Sequence, residues 1–279
     1  MKDLDCIQFL QWALPKMEMR WPGFRKVRRQ VCKRIDRRIK ELGLSDASAY
    51  RRYLDAHPEE WVPLDSMCRI TISRFYRDAA VFSYLENEVL PEIARKSCAR
   101  GDRELRCWSI GCASGEEAYT LSLLWELSVK PGFPSLDIRI VGTDIDAKLI
   151  GRAEVGCYPP SSVKELPGDW LEQGFNRLND RYCLSAKYRA NVELSCQDIR
   201  RDMPTGSFFL ILCRNLVFTY FNNTLQRKIL KGIGEMLVPG GILVTGTHES
   251  LPAGADDLFV PEVHRKGIYQ RSLSSQVRE

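Results

Sequence analysis

The sequence predicts an α/β protein in which a parallel sheet follows an all-helical N-terminal domain. From Arg106 onward, short apolar segments alternate with segments of helical spacing, which is typical of parallel strands covered by helices on both faces. Residues 1–80 contain helical patterns only. We therefore expect a helical domain over 1–80 and an α/β domain over 81–279, with a small inserted subdomain at about 157–190.

The helical domain is expected to contain a strongly basic amphipathic helix at 24–42. Apolar residues recur there at helical spacing, and nine arginines and lysines occupy the other faces. Gly43 ends this helix, and Ser45 or Asp46 can cap the next one. The basic helix is compatible with a solvated surface, a nucleic-acid face or a docking face for an acidic protein. We favour the acidic protein, because these charges are not interleaved with the aromatic residues or glycine-rich turns of single-strand binders.

The α/β domain is expected to begin its sheet with a strand, a glycine loop and a helix. An apolar run ends at Ile110, Gly111 and Gly115 enclose small residues, and Glu116 begins a helical pattern. Glycine can take positive φ and lets a ligand approach the backbone closely, and ligands of open α/β sheets bind at the carboxyl ends of the strands. The sequence therefore predicts a ligand site at this loop.

Acidic residues at the predicted strand ends indicate which ligand binds. The loop lacks both glycine patterns that hold phosphates, and it carries Glu116 and Glu117. The next predicted strand, Asp137 to Thr143, is followed by Asp144 and Asp146. Carboxylates accept hydrogen bonds from ribose hydroxyls and pair with cations, so S-adenosylmethionine, with its ribose, amino group and sulfonium, suits this site. The alternative is that the two glutamates only favour a helix N-terminus.

The remaining α/β pattern supplies three more strands and an insertion. A helix is expected from about Ala80 to Cys98, and strands at Asn191–Ser195, Phe208–Cys213 and Gly241–Thr247. Between 157 and 190 the pattern is interrupted by Tyr158-Pro159-Pro160, a polar helix and a short alternating segment. This interruption favours a small inserted subdomain with a hairpin.

Composition excludes several classes of protein. Of the 279 residues, 44% are hydrophobic and 28% charged, which is the composition of a folded globular protein. A run of about 18 apolar residues and a signal peptide are both missing, so we expect a cytoplasmic protein without membrane insertion. The ten cysteines form no Cys-x-x-Cys pair and are expected to be neither disulfides nor zinc ligands. The histidines, His57, His248 and His264, are scattered, and no metal site is expected.

Several motifs carry a resemblance to a known family. They are TISRFYRD at 71–78, GCASGEEAYT at 111–120, GTDID at 142–146, CQDI at 196–199, CRN at 213–215, YF at 220–221, PGG at 239–241 and THES at 247–250. Together they resemble the CheR-type chemotaxis receptor methyltransferases, which methylate glutamate side chains with S-adenosylmethionine. The resemblance implies a Rossmann-like S-adenosylmethionine-dependent methyltransferase domain behind a helical domain, with a small β subdomain inserted.

The resemblance also implies which residues hold the cofactor. The positions that match are Thr71, Ser73, Arg77, Glu117, Asp144, Asp198, Ile199, Asn215 and Leu216. For catalysis we choose Arg77, to orient the incoming carboxylate, and Tyr220, to donate a hydrogen bond that fixes it. The alternatives are that Arg77 binds only the cofactor's own carboxylate and that Tyr220 is a half-buried packing residue.

Three departures from the family pattern suggest a divergent branch. Where the family has Asn-x-Thr, this chain has Thr71 and Ser73, so the hydroxyl is kept and the amide is not. Asp198 stands in place of Asn and can accept a hydrogen bond from adenine but cannot donate one. Four residues separate Asn215 from Tyr220, where the family has three.

The extra residue leaves two registers open. If the next helix begins one residue late, Tyr220 returns to the family's position; otherwise Phe218 or Thr219 faces the pocket. We favour the first register, because it lets Asn222 or Asn223 cap the helix and keeps the apolar spacing.

The expected reaction needs few catalytic groups. A glutamate with a pKa near ~4.3 is ionised at neutral pH, so methyl transfer to its oxygen requires alignment and no general base. We expect protein-glutamate O-methylation that leaves S-adenosylhomocysteine, with an acidic protein such as the cytoplasmic helices of a chemoreceptor as partner. The alternatives are another carboxylate or small-molecule acceptor, or a non-catalytic S-adenosylmethionine sensor. A nucleic-acid methyltransferase is disfavoured, because an Asn/Asp-Pro-Pro-Tyr type motif is missing.

Overall fold

The structure, a computed structural model, describes residues 3–262 and 266–272. It divides into two compact units. The helical unit comprises Met1–Thr71 and Asn215–Gln226, and the α/β unit comprises Ile72–Arg214 and Arg227–Glu279. The helical unit thus ends before the predicted boundary at residue 80, and it includes a segment that the sequence assigned to the larger domain. The exact domain bounds stay a prediction.

Helices and strands alternate in the α/β unit, and the elements described in the helical unit are helices, with one isolated β-bridge between Met19 and Phe221. The helices are α1 Asp3–Lys16, α2 Trp21–Phe24, α3 Arg28–Glu41, α4 Ala47–Ala56, α5 Trp61–Cys68, α6 Ala79–Tyr84, α7 Leu90–Arg100, α8 Glu116–Leu124, α9 Ala147–Val155, α10 Pro160–Val163, α11 Gly168–Gly174, α12 Ala186–Arg189, α13 Val217–Tyr220 and α14 Asn223–Met236. The strands are β1 Glu104–Ile110, β2 Asp137–Asp144, β3 Cys157–Tyr158, β4 Phe175–Leu178, β5 Arg181–Leu184, β6 Val192–Cys196, β7 Phe208–Cys213, β8 Leu237–Thr245, β9 Phe259–Pro261 and β10 Ile268–Arg271. A π-helical turn, Leu85–Val89, joins α6 to α7, and the strands predicted at 191–195 and 208–213 are present as β6 and β7.

The α/β unit is built on a mostly parallel sheet. Within the described residues its seven strands lie in the order β6-β2-β1-β7-β8-β10-β9, with only β10 antiparallel to its neighbours. The chain moves from β1 outward through β2 and β6, and then returns to add β7 and β8 on the other side. The order therefore reverses between β1 and β7, which is where open α/β sheets bind their ligands. The predicted α/β class is confirmed.

The last parallel strand begins earlier than predicted. β8 starts at Leu237, whereas the sequence placed a turn at 239–241 and a strand from Gly241. Its register against β7 shifts between Phe208 and Leu210, and Gly240 has φ +75°. The Pro-Gly-Gly segment is thus an irregularity inside the strand, where a bulge absorbs it.

A small antiparallel sheet with the order β3-β5-β4 interrupts the α/β unit. β4 and β5 form the hairpin expected in this region. The sheet packs on the TISRFYRD segment through Phe75, whose ring meets Tyr158 and Phe175 edge-on at centroid distances of 4.8 and 5.2 Å. The N–H group of Phe75 also donates to the carbonyl of Ser162 at 2.9 Å. This packing fixes the segment that carries Ser73 and Arg77.

The basic helix begins four residues later than predicted. The sequence placed it at 24–42, but α3 starts at Arg28, and residues 21–24 form the separate short helix α2. The reason is a tertiary contact, because a Cβ atom on Gly23 would lie 2.2 Å from the carbonyl oxygen of Thr219 in α13. The predicted apolar stripe is otherwise buried at Val31, Ile35 and Ile39.

Two disulfides contradict the prediction that the cysteines are unbridged. Cys6 on α1 is bonded to Cys32 on α3, and Cys157 on β3 is bonded to Cys183 on β5. Both pairs are 26 residues apart in sequence and are brought together only by tertiary packing. The other six cysteines lie in the described chain and are not bridged. Among the described residues, no helix is long and apolar enough to cross a membrane.

Candidate functional site

The loop between β1 and α8 takes the tight, left-handed conformation that the glycines predict. Gly111, Ala113 and Gly115 all have positive φ, at +70°, +53° and +87°. A Cβ atom on Gly115 would lie 2.7 Å from the ring of Tyr119, so a larger residue does not fit. Positive φ at Ala113 is uncommon for a non-glycine residue, and such backbone strain concentrates at ligand sites.

Asp144, at the end of β2, is oriented by the loop itself. Its Oδ2 atom accepts a hydrogen bond from the N–H of Ala113, and its Oδ1 atom accepts one from the N–H of Asp146, both at 2.9 Å. An ionised carboxylate has about four acceptor positions, so the oriented, half-buried group suits the hydroxyls of a ribose. Asp146 has a different role, since it caps α9 by accepting from the N–H of Lys148 at 2.9 Å.

Glu117 lies where the strand order reverses. Its Oε1 atom accepts from the hydroxyl of Ser109 on β1 at 2.8 Å, and its Oε2 atom accepts from Nη1 of Arg214 at 3.0 Å. Arg214 directly follows β7, and its side chain is 2% exposed. Arg214 belongs to the CRN motif, but no role was predicted for it from the sequence. The feature of the sequence that could have indicated a role is the position of a cation directly after a wholly apolar strand.

The segment that precedes α6 is held against Glu117 through the same arginine. Nη2 of Arg214 donates to Oδ2 of Asp78 at 2.5 Å and to the carbonyl of Arg77 at 3.0 Å. The guanidinium of Arg77 donates to the carbonyl of Ile72, which closes the segment on itself. Arg77 and Glu117, both predicted site residues, are therefore brought together by a residue that the prediction did not include.

Glu116, the neighbour of Glu117, is buried with an unsatisfied oxygen. The residue is 3% exposed, and burial raises the pKa of its carboxyl group. The side chain of Ser73 lowers this pKa to a smaller extent, and the Oε2 atom of Glu116 has no hydrogen-bond partner in the part of the chain that the structure describes. A buried acceptor without a donor is rare in proteins and calls for a ligand or a proton.

Asp198 and Ile199 follow β6. Both oxygens of Asp198 accept from Nε of Arg200, at 2.9 and 3.0 Å, and Oδ1 also accepts from the N–H of Arg200 at 3.1 Å. The side chain of Ile199 is buried. The carboxylate of Asp198 is thus ion-paired with Arg200 and oriented by it.

Four predicted site residues belong to the helical unit: Thr71, Asn215, Leu216 and Tyr220. Thr71 is exposed, and Asn215 turns the chain with φ +57°. The half-buried ring of Tyr220 lies 5.0 Å from that of Phe24. The roles proposed for these residues stay predictions.

The segment after Asn215 has the cap that the favoured register requires. α13 ends at Tyr220, and Oδ1 of Asn222 accepts from the N–H of Leu225 at 2.9 Å in the first turn of α14. The expected cap by Asn222 is therefore present. Phe218 is 1% exposed and packs inside the helical unit.

The acceptors of the α/β unit fit S-adenosylmethionine. Asp144 suits the ribose, Glu116 and Glu117 suit a cation, and Asp198 suits an exocyclic amino group. Among the described residues, no group of three or more histidines, cysteines or acids is placed to hold a metal ion. His264 lies outside the described residues.

Comparison with known proteins agrees with this chemistry. A family model described as CheR methyltransferase, SAM binding domain, matches residues 71–267. The chain is 34% identical over 191 residues to the chemotaxis protein methyltransferase of Listeria monocytogenes, covering 68% of this chain and 70% of that protein. It is 30% identical over 227 residues to chemotaxis protein methyltransferase 2 of Vibrio cholerae, covering 78% and 77%.

Two further likenesses are more distant. The chain is 27% identical over 230 residues to an uncharacterized 104.1 kDa protein of Rhodobacter capsulatus, of which it spans only 24%. Among solved structures, the N-methyltransferase NodS of Bradyrhizobium japonicum in complex with S-adenosylhomocysteine is similar, with a TM-score of 0.35 and 16% identity over 67% of this chain and 87% of that one. A TM-score this low carries no argument about function.

Proposed function

Because the chain belongs to the CheR methyltransferase family and is an S-adenosylmethionine-dependent methyltransferase, we propose that it forms methyl esters on glutamate side chains of a chemotaxis receptor. The acceptor would be an acidic helical segment of that receptor in the cytoplasm, and the second product is S-adenosylhomocysteine. The relatives named as chemotaxis protein methyltransferases support this choice of acceptor.

The observation that carries the proposal is the orientation of Asp144 by the strained loop. Two backbone N–H groups hold the carboxylate, and one of them belongs to Ala113, whose φ is positive. A fixed carboxylate at the end of the second strand is what a ribose needs. We propose that Ser73, Arg77 and Glu117 bind the amino-acid end of the cofactor, while the carboxylate of Asp198 and the buried side chain of Ile199 bind the adenine.

The proposed mechanism requires alignment and charge pairing only. When bound, S-adenosylmethionine supplies a methyl group on a sulfonium, which an ionised carboxylate can attack in line. Arg77 would pair with the incoming glutamate, because a guanidinium matches a carboxylate in geometry and charge. Tyr220 would donate a hydrogen bond that fixes the same carboxylate, and Thr71, Asn215 and Leu216 would complete the cofactor's contacts.

The basic helix supports an acidic acceptor, but only part of its charge is available. Arg34 donates to the carbonyls of Met67 and Arg69, and Arg38 forms a two-point ion pair with the buried Glu60 at 2.7 and 2.8 Å. These two arginines stabilise the helical unit. Four exposed residues form no ion pair within the described chain, and we call them the basic face: Arg25, Lys26, Arg29 and Lys33.

The test is transfer of a labelled methyl group. The protein is incubated with methyl-labelled S-adenosylmethionine and a purified cytoplasmic fragment of a chemoreceptor, and the label is then exposed to mild alkali. We expect the receptor to be labelled and alkali to release the label as methanol, because esters hydrolyse and amines do not. Label that resists alkali would exclude a carboxylate acceptor. Binding of the cofactor without any transfer, to the receptor or to a whole lysate, would favour the non-catalytic sensor.

A further inference from the structure

Arg214 is a buried cation placed at the point where the strand order reverses. It directly follows β7, and β7 is paired with β1 so that Leu212 lies opposite Ser109. Its side chain is 2% exposed, and its guanidinium carbon lies 5.2 Å from the ring centre of Phe82. Burying a guanidinium costs free energy unless charged partners surround it, so the partners of Arg214 indicate its role.

Each terminal nitrogen of Arg214 holds a different part of the site. Nη1 is 3.0 Å from Oε2 of Glu117, which belongs to the first turn of α8. Nη2 is 2.5 Å from Oδ2 of Asp78 and 3.0 Å from the carbonyl oxygen of Arg77. One planar group therefore connects the helix after the glycine loop with the segment that carries Arg77.

The backbone of that segment needs an external anchor. Tyr76 and Asp78 both have positive φ, at +55° and +62°, which non-glycine residues rarely adopt without support. The N–H of Tyr76 donates to the hydroxyl of Thr120 on α8 at 3.0 Å, and this is a second link between the segment and the helix. Arg214 supplies the link on the other side of Arg77.

The charge of the cluster is also informative. Arg214 brings one positive charge to the carboxylates of Glu117 and Asp78, so the cluster stays acidic by one charge and can still attract a cation. Nη1 and Nη2 of Arg214 donate to two different elements, while its Nε atom has no hydrogen-bond partner among the described residues.

We propose that Arg214 is a positioning residue, which holds the carboxylate of Glu117 and the backbone of Arg77 in one fixed relation for methyl transfer. This inference rests on the proposed function, because it assumes that Glu117 meets the cofactor and Arg77 meets the acceptor. Lysine cannot replace this fork, since an ammonium is a point charge on a flexible stem and lacks the planar pair of donors.

The experiment compares Arg214→Lys, Glu117→Gln and the double variant. Binding of S-adenosylhomocysteine is measured by calorimetry, and methyl transfer by steady-state kinetics. We expect Arg214→Lys to weaken binding about tenfold and to lower kcat, and the double variant to bind no more weakly than the poorer single variant. Arg38→Lys is the matched control, because Arg38 also forms a two-point pair with a buried carboxylate. It should lower Tm and leave binding within twofold.

Two results would overturn the inference: full additivity of the two substitutions, or a lower Tm in Arg214→Lys with binding and kcat within twofold of wild type. If Arg214→Lys does not fold, Asp78→Asn replaces it, since Asp78 is at the surface and Glu117 keeps its arginine. We expect Asp78→Asn to lower kcat with binding unchanged, and an unchanged kcat would again overturn the inference. Failure of the proposed function is distinct, because the wild-type protein would then transfer no alkali-labile label.

Discussion

The side chain of Ser73 opposes the effect of burial on the pKa of the carboxyl group of Glu116, whose Oε2 atom has no hydrogen-bond partner among the described residues. Burial raises the pKa of this group, so the folded protein binds a proton more tightly than the unfolded chain does. The stability that Glu116 contributes is therefore present at acidic pH and lost as pH rises through the raised pKa. Glu116→Gln should match wild type at low pH and unfold at a higher urea concentration near neutral pH.

Urea unfolding at several pH values between about 3 and 8 checks this expectation, because linkage predicts a difference that grows as pH rises from the unfolded pKa to the raised folded pKa. Glu117→Gln is the matched control, since the neighbouring carboxylate is paired with Arg214 at 3.0 Å. Its loss leaves a buried cation poorly paired and should lower stability by about 1–3 kcal/mol. A constant difference between Glu116→Gln and wild type across the pH range would contradict the sign argued here.

Asp144→Ala should weaken cofactor binding. A hydrogen bond to a charged group is worth roughly 1.5–3 kcal/mol, so calorimetry with S-adenosylhomocysteine should show a loss of about tenfold or more. Asp146→Ala is the control, because Asp146 caps α9. It should cost about 1 kcal/mol of stability and leave affinity unchanged. Equal affinities of wild type and folded Asp144→Ala would refute the ribose assignment.

The sequence predicted those elements that are specified by residues close together in the chain. The apolar run Phe208–Cys213 is β7 with the predicted bounds, because six consecutive apolar residues between polar segments specify a buried strand. The late start of the basic helix could not be predicted, since Gly23 contacts the backbone of Thr219, which is far along the chain. The role of Arg214 was missed for the same reason, because Glu117 and Asp78 are 97 and 136 residues away in sequence. Contacts between residues so far apart in sequence depend on the order of the strands in the sheet.

Because two disulfides are present, the protein should have six free thiols, whereas ten were expected from the sequence. Alkylation under denaturing conditions without reductant should modify six cysteines and spare Cys6, Cys32, Cys157 and Cys183. Each bond closes a loop of 26 residues, so reduction should lower the free energy of unfolding by about 3–4 kcal/mol per bond in the chain-entropy model. Modification of all ten cysteines, read by mass spectrometry, would show that the protein as purified is reduced.

The basic face should determine affinity for the acceptor and not for the cofactor. Replacing Arg25, Arg29 and Lys33 by Glu should raise KM for the receptor fragment at low salt by at least about tenfold, because like charges then meet the acidic acceptor. High salt should reduce the difference in KM between the variant and wild type, since exposed charges are screened. Reversal of three exposed lysines of the α/β unit, Lys96, Lys228 and Lys231, is the control. Salt-independent KM in wild type would exclude electrostatic docking.

The segment between Asn215 and Tyr220 contains the short helix α13. Arg20 fixes the end of that helix, because its N–H donates to the carbonyl of Tyr220 at 2.8 Å and its guanidinium donates to the carbonyls of Phe218 and Thr219. Asn222 then caps α14, so the register is set before and after Tyr220. The backbone of Tyr220 is therefore fixed on both sides, and its ring packs against that of Phe24 at a centroid distance of 5.0 Å.

Tyr220→Phe separates the catalytic role of this hydroxyl from packing. The ring and its contact with Phe24 are kept, so stability should stay close to that of wild type. If the hydroxyl donates to the acceptor carboxylate, a hydrogen bond worth roughly 1.5–3 kcal/mol is lost during transfer, and kcat should fall about 10- to 100-fold. Affinity for S-adenosylhomocysteine should not change, because the cofactor does not need this donor. Phe24→Leu is the opposite control, with lower Tm and preserved kcat. Undiminished kcat in Tyr220→Phe, measured on the receptor fragment, would make Tyr220 a packing residue and assign the acceptor's orientation to Arg77 alone.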